Sequence, residues 1–449
     1  MAQTQPTDVV RLDGRTLEGG GQLVRIAVAL SALTGRSVTI DNVRGNRYGG
    51  TGLKASHLAA IQTLGELSGS TLVNAQVGSC SMGFYPPSLG QEETRRTDSE
   101  INIRLPTPGS VFLVLQALYP YLLHASTTDQ IRLSIIGGTN ASSSPSYDYV
   151  SQVLIPNFVR VGLPPISVRL EKRGWSSGQV QMGKVMFVID TLRRRGESEN
   201  GGTPSAAFPS IDLQRYRRGT ISKIDITILA PDDPLGESDK EPQHTKGNRN
   251  PAAPNTVREL MEHQLHDTLR KQLKGLPPSL FSDDSTQELN PKANRNELVP
   301  IRTHTTEATH RRSCLSVLIV AHTSTGFRIG RDALYGSLTK PKSKPNKRQN
   351  KPQDDMISKV KGLVDECVEG FIRELHDPRL QTRTDQHRPC VDEYMRDQLV
   401  VFEALGRGSG GEVERDDKSE EDERYWSLHT KTAQWVCQQM LGGSPTTTP

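Results

Sequence analysis

One pattern occurs three times along the chain, and that recurrence limits the fold more than any other feature of the sequence. In the first copy Leu23, Ile26, Ala27, Leu30 and Leu33 recur at helix spacing, and Gly35 ends the helix. Residues 37–43 then alternate as a short strand, a loop follows, and a second helix starts near His57 with Leu58, Ile61, Leu64 and Leu67 inward. The second copy is an almost wholly apolar helix over 110–125, a strand over 131–136, a small-residue loop over 137–146 and a helix over 147–161. A third copy is interrupted: a helix over 394–405, a short strand over 425–429 and a closing helix over 430–441. The predicted fold class is α/β (α+β), built from three repeated βαβ-type units. Residues able to do chemistry gather in the strand-to-helix loops.

Between the second and third copies the pattern changes. Residues 193–202 and 232–255 are rich in Gly, Pro and charge and are predicted to be loops or disordered. Around them, 221–230 and 316–322 have the pattern of strands, and 256–273 and 356–375 that of helices, which makes a small α/β insert domain. The expected division is repeats one and two over 1–192, the insert over 193–388 and the third repeat over 389–449.

A hydrophobic fraction of 34% with 5% aromatics is lean for a compact enzyme, which agrees with polar insertions. The net charge of +4 is too small to argue for nucleic acid, so local clusters must carry that case. The basic run over 340–351 and the acidic run over 412–423 have the character of solvated loops, the basic one with RNA phosphate contact as its alternative. Cys80, Cys314, Cys367, Cys390 and Cys437 are widely spaced, which gives neither a zinc pattern nor a disulfide framework and fits a reducing compartment. The first ten residues lack an apolar signal core and no apolar run reaches membrane length, so a soluble intracellular protein without a membrane partner is expected.

The loop of the first copy is the best candidate site. Gly19-Gly20-Gly21 leads directly into a helix whose first N–H groups lack internal partners, a natural place for an anion. Gln22 and Arg25 share one face of its first turn, and Glu18 is placed to hold a divalent cation on a phosphate. The same residues also suit a plain strand-to-helix turn. Arg44 and Arg47 lie in the next loop. Gln116 is the one polar side chain in 111–123 and needs a partner, either backbone or ligand.

Taken together, Gly19-Gly20-Gly21-Gln22 with Arg25, Arg44-x-x-Arg47 before Ser56-His57-Leu58, Gly137-Gly138-Thr139-Asn140, residues 392–399 and Leu428-His429-Thr430-Lys431-Thr432-Ala433 resemble the RNA 3′-terminal phosphate cyclase family. The motifs are in the family's order from Leu12 to about Leu441. The resemblance implies three repeats like the C-terminal domain of bacterial translation initiation factor three, with a small thioredoxin-like insert. It implies that ATP, or GTP as an alternative, with Mg2+ or Mn2+, drives conversion of an RNA 3′-phosphate to a 2′,3′-cyclic phosphate. The histidine of a late His-x-x-Thr motif is the family's nucleophile, and that motif places it at His429. Glu18 matches the metal-binding glutamate, and Arg25, Arg44 and Arg47 match arginines around the phosphates. Gln22, His57, Gln116, Asp397 and Gln398 match polar residues of the nucleotide site, while Pro145, Tyr149 and Tyr394 fall where the family packs the base. RNA with a 3′-terminal phosphate is the implied partner and the nucleus the implied location.

Three departures accompany the match. Ser56 stands where many members have Gln, residues 174–179 replace a more glycine-rich, lysine-containing turn, and little chain follows Leu441, so an incomplete third sheet is expected. Two other functions stay open on the residues: a non-catalytic relative serving ribosomal RNA processing, and an enolpyruvyl transferase-like enzyme of related architecture.

Overall fold

The structure, a computed structural model, describes residues 9–47, 50–87, 99–125, 128–177, 180–192, 207–235, 254–281, 299–336, 356–379, 388–407 and 425–442. The charged runs over 340–351 and 412–423, the polar loop over 193–202 and most of that over 232–255 lie outside these residues.

The chain is mixed α/β with three four-stranded sheets. In the first, β1 (Val9–Asp13) is parallel to β2 (Ser37–Asp41), the two connected through α1 (Gly21–Thr34). After α2 (Ala55–Ser68), β3 (Thr71–Val73) and β4 (Met82–Tyr85) return antiparallel, with β4 against β2. The second sheet repeats this order and these strand directions. Its strands are β5 (Glu100–Arg104), β6 (Gln130–Gly137), β7 (Ile166–Lys172) and β8 (Gly183–Asp190), and α3 (Val111–Ala125) connects the parallel pair. Residues 147–160 form one helix, α4, with a π-helical stretch at Val150–Leu154. Each unit is thus longer than its helix, strand and helix signals. In the first sheet the added strands are short, β3 of three residues and β4 of four, one of them Gly83.

The third sheet, in the order β10 (Ile301–Thr309), β9 (Ile221–Pro231), β11 (Ser316–Thr323), β12 (Arg328–Leu334), is covered by α5 (Val257–Leu273) and α6 (Met356–Leu375). In α6 the buried positions Met356, Val360, Leu363, Val364, Cys367, Val368 and Phe371 follow the helical period, so one stripe packs on the sheet. Strand alternation splits β11 between two cores: Val317, Ile319 and Ala321 join the core under α5 and α6, while Leu318 and Val320 face the larger core of the first two sheets.

The last two helices, α7 (Glu393–Arg407) and α8 (Leu428–Leu441), contribute Met395, Leu399, Phe402, Val436 and Met440 to that larger core. One expectation fails here. Residues 425–429 are not a strand: Ser427 caps α8 by accepting from the Thr430 N–H, so His429 lies in the first turn of a helix. The short apolar alternation of this segment was outweighed by its cap. A second correction concerns α1, which is buried on nearly all sides from Gln22 to Ala32 rather than along one stripe, because α2, α3 and α8 pack around it.

Among the described residues no helix is long and apolar enough to cross a membrane. None of the five cysteines forms a disulfide among the described residues.

Candidate active site

The loops after β1 and β2 leave the carboxyl ends of neighbouring parallel strands, where open α/β sheets place their ligands. Gly19 adopts φ +60, and a Cβ there would strike Asn46. A Cβ on Gly20 would meet the Glu18 carboxylate, and one on Gly21 would meet His57 and Arg25. Three different neighbours therefore require the three glycines. Leu17, Asn42 and Arg44 also take left-handed φ of 54, 51 and 58, a strain of about 1 kcal/mol or more each that concentrates in these two loops. Asn46 fastens the loops together by donating to the carbonyls of Arg15 and Leu17.

Packing of α8 against α1 places the two helix N-termini side by side. Gln22 and His429 meet there: His429 Nδ1 lies 2.8 Å from Gln22 Oε1. An amide oxygen only accepts, so Nδ1 carries the proton and Nε2 keeps its lone pair. The other end of the amide is fixed as well, because Gln22 Nε2 donates to Asp397 Oδ2 at 3.3 Å, and Gln398 Nε2 donates to Asp397 Oδ1 at 2.7 Å. Burial pushes Asp397 up to about 7, opposed by the Gln398 hydrogen bond and by Arg25. Partial burial, then Arg47 and Arg25, hold His429 below its ordinary value, which favours the neutral ring.

The surroundings are cationic. Arg25 is buried and donates to Gln116 Oε1 at 2.7 Å, which is the partner that lone amide required. Arg44 is buried, with Nη1 on the Gly50 carbonyl at 2.7 Å. Burial lowers Lys54, and Arg44 and Arg47 lower it further, so these three charges repel one another with few acids between them. His57 is buried and driven down to about 3 by burial and by Arg25, Arg44 and Lys54, so it is a neutral ring. A polyanion would relieve this crowding.

Glu18 has a side chain only 6% exposed. Arg47 forms an ion pair with its Oε1, His429 Nε2 stands 4.0 Å from the same oxygen, and neither oxygen accepts a well-formed hydrogen bond from the described residues. No group of three or more His, Cys, Asp or Glu among the described residues forms a metal cage. One buried, under-satisfied carboxylate beside the glycine loop nevertheless fits a magnesium-like ion, which takes one or two carboxylates and fills its shell with phosphate oxygens and water.

The family model for RNA 3′-terminal phosphate cyclase matches residues 16–446, from this glycine loop past the His429 helix. The chain belongs to the RNA 3′-terminal phosphate cyclase family. It is 39% identical over 166 residues to the RNA 3′-terminal phosphate cyclase of Desulfurococcus amylolyticus, covering 37% of this chain and 43% of that protein. For the protein of the same name from Pyrococcus furiosus the identity is 38% over 166 residues, covering 37% and 45%. For that from Thermococcus onnurineus it is 37% over 179 residues, covering 39% and 49%. The chain thus spans about half the length of the curated relatives it matches.

Of the base-packing residues expected from the cyclase family, Tyr149 and Tyr394 meet edge to face, while Pro145 lines a cavity that neither of them lines. Pro145 lines an apolar cavity with Gln116, Gln398, Ile26, Phe112 and Phe402. Tyr394, 37% exposed, has Arg331 over its ring at 4.6 Å. Tyr149 is buried, edge-on to Tyr394 at 6.1 Å, and its hydroxyl donates to Asp392 Oδ1 at 2.5 Å. That bond ties α4 to the start of α7, so Tyr149 backs the Tyr394 ring.

Sequence reasoning left out three residues of this site. Thr432 accepts from the Glu18 N–H at 3.1 Å and donates to the Leu428 carbonyl at 2.7 Å, coupling the glycine loop to the His429 helix. The threonine that closes the His-x-x-Thr motif was the available signal. Lys54 stands just before the His57 helix, and its proximity to Arg44-x-x-Arg47 was the signal there. Arg331 comes from the third sheet and carried no local signal.

Proposed function

We propose that the protein converts an RNA 3′-terminal phosphate to a 2′,3′-cyclic phosphate at the expense of ATP, through a covalent histidine-AMP intermediate. The observation that carries the reading is the Gln22 hydrogen bond to His429 Nδ1, which leaves Nε2 as an unprotonated nucleophile among Arg25, Arg44, Arg47 and Lys54.

His429 Nε2 attacks the α-phosphorus of ATP, forming an N–P bond as the bond to the bridging oxygen breaks and pyrophosphate departs. No proton has to leave Nε2, and the positive charge spread over the ring is met at Nδ1–H by Gln22 with Asp397 behind it. The guanidinium groups take up negative charge on the phosphates. A divalent cation held by Glu18 would neutralise charge on the leaving pyrophosphate. An oxygen of the RNA 3′-phosphate then attacks the same phosphorus and the N–P bond breaks. In the last step the neighbouring 2′-OH attacks the RNA phosphorus and AMP leaves, a step favoured because the hydroxyl is already in place. The base is assigned to the Pro145 and Tyr394 side of the site.

The same reading takes the first two sheets as repeats of the initiation-factor type, supported by their shared strand order, and the third sheet with α5 and α6 as the thioredoxin-like insert. Incubation with α-labelled ATP and magnesium tests the chemistry. Acid-labile label on the wild type, absent from His429→Ala, is the expected result. Label that persists in His429→Ala overturns the nucleophile, and an unlabelled wild type favours a non-catalytic relative.

A further inference from the structure

A second cavity, open and about 270 Å³, lies where the end of α6, the start of α7 and residues 425–427 meet. Glu393 and Arg396 line it, whereas Tyr394, Asp397, Gln398, Gln22, Arg25 and His429 do not. It therefore lies outside the nucleotide site, yet two walls are shared. Arg331 lines the cavity, pairs with Glu374 at 3.3 Å and with Glu393 at 3.7 Å, and covers the Tyr394 ring on the other side. Ser427, on its rim, caps the helix that carries His429 two residues later.

The lining has an uncommon composition. It holds six arginines, at 218, 331, 373, 379, 388 and 396, against four acids, at 374, 377, 392 and 393. Burial, then Asp392, pushes Glu374 up to about 8, opposed by Arg331. Two aromatic residues, Tyr425 and Trp426, complete the wall, and Arg396 lies 5.6 Å from the Trp426 ring. The Trp426 indole N–H is buried with no acceptor among the described residues. Arginines for phosphates together with aromatic faces for bases are the combination by which proteins hold single-stranded nucleic acid. An acidic peptide would use the arginines and leave the aromatic pair without a role.

We propose that this cavity holds the single-stranded RNA leading to the 3′-phosphate, its last nucleotides passing Ser427 to bring the terminal phosphate to His429. The assignment rests on the cyclase reading for the direction of the strand. Its test is anisotropy of a fluorescein-labelled ten-nucleotide RNA ending in a 3′-phosphate, titrated with the full-length chain at several salt concentrations. Arg373 and Arg379 are exposed, so Arg373→Glu with Arg379→Glu leaves the fold intact, checked by an unchanged thermal midpoint. The expected result is an affinity lower by about tenfold or more, and a log–log salt dependence shallower by about 1 unit. Quenching of tryptophan fluorescence by the RNA is expected to be lost in Trp426→Phe. An unchanged affinity and salt slope in the double variant overturns the proposal, as does a wild type that does not bind the RNA. The wild type's labelling by α-labelled ATP is scored separately. RNA binding that depends on these arginines without any label sustains the cavity and overturns the reaction.

Discussion

His429 Nδ1 and Gln22 Oε1 are 2.8 Å apart although 407 positions separate the two residues in the chain. This bond selects the imidazole tautomer. It decides which nitrogen is available to a phosphorus atom.

Gln22→Leu removes the acceptor and leaves Nδ1–H without a partner. A hydrogen bond of this kind is worth about 1–3 kcal/mol, so adenylate formation is expected to slow about 5- to 150-fold. Asp397→Asn is expected to slow it too, because Gln22 and Gln398 donate to different oxygens of Asp397 and the amide puts an NH2 donor in place of one of them. Single-turnover labelling measures both. A wild-type rate in Gln22→Leu removes the tautomer argument.

The pH profile follows from the charges around the ring. Burial, Arg47 and Arg25 shift His429 below 6.5, and the proposed nucleophile is the neutral ring, so labelling is expected to persist at pH values where an ordinary imidazole is protonated. Arg47→Met takes away one cation, which raises the histidine pKa and moves the acid limb of the rate profile back toward 6.5. The readout is the position of the limb, whatever happens to the plateau.

His57 gives stability a pH dependence of definite sign. Its folded value is about 3 against 6.5 for the free side chain, so between those values the unfolded chain binds the extra proton. This contribution is complete above pH 6.5 and declines on acidification, by at most about 1.4 kcal/mol per pH unit. Urea midpoints at pH 7.5 and 5 are expected to differ more for the wild type than for His57→Gln.

Gly21→Ala places a methyl where the His57 ring and the Arg25 guanidinium now lie. Alanine favours the helix by about 1 kcal/mol, so the fold is expected to hold while nucleotide affinity falls as Arg25 is displaced. Isothermal titration with a non-hydrolysable ATP analogue measures this, and unchanged affinity would show that Arg25 has room to move.

Thr432→Val breaks the bond from the Glu18 N–H and strands that donor. A cost of about 1–2 kcal/mol in unfolding free energy is expected, read from urea denaturation.

Local order in the sequence determined much of this molecule. Helical and alternating periodicities placed α1, α3, α6, β6, β9 and β11 close to where they lie, and the glycines beside Glu18, with Arg25, Arg44 and Arg47, marked two loops that meet at the carboxyl ends of β1 and β2. These signals are legible because they depend on neighbours within a turn or a strand pair. Only the tertiary structure decided that residues 425–427 lead into a helix cap instead of a strand, that Gln22 and not an arginine holds the histidine, and that Thr432 anchors the Glu18 loop. Each of these depends on α8 packing against α1 across most of the chain. Burial of α1 on almost every side drives that packing, and no spacing in the sequence encodes which polar groups it brings together.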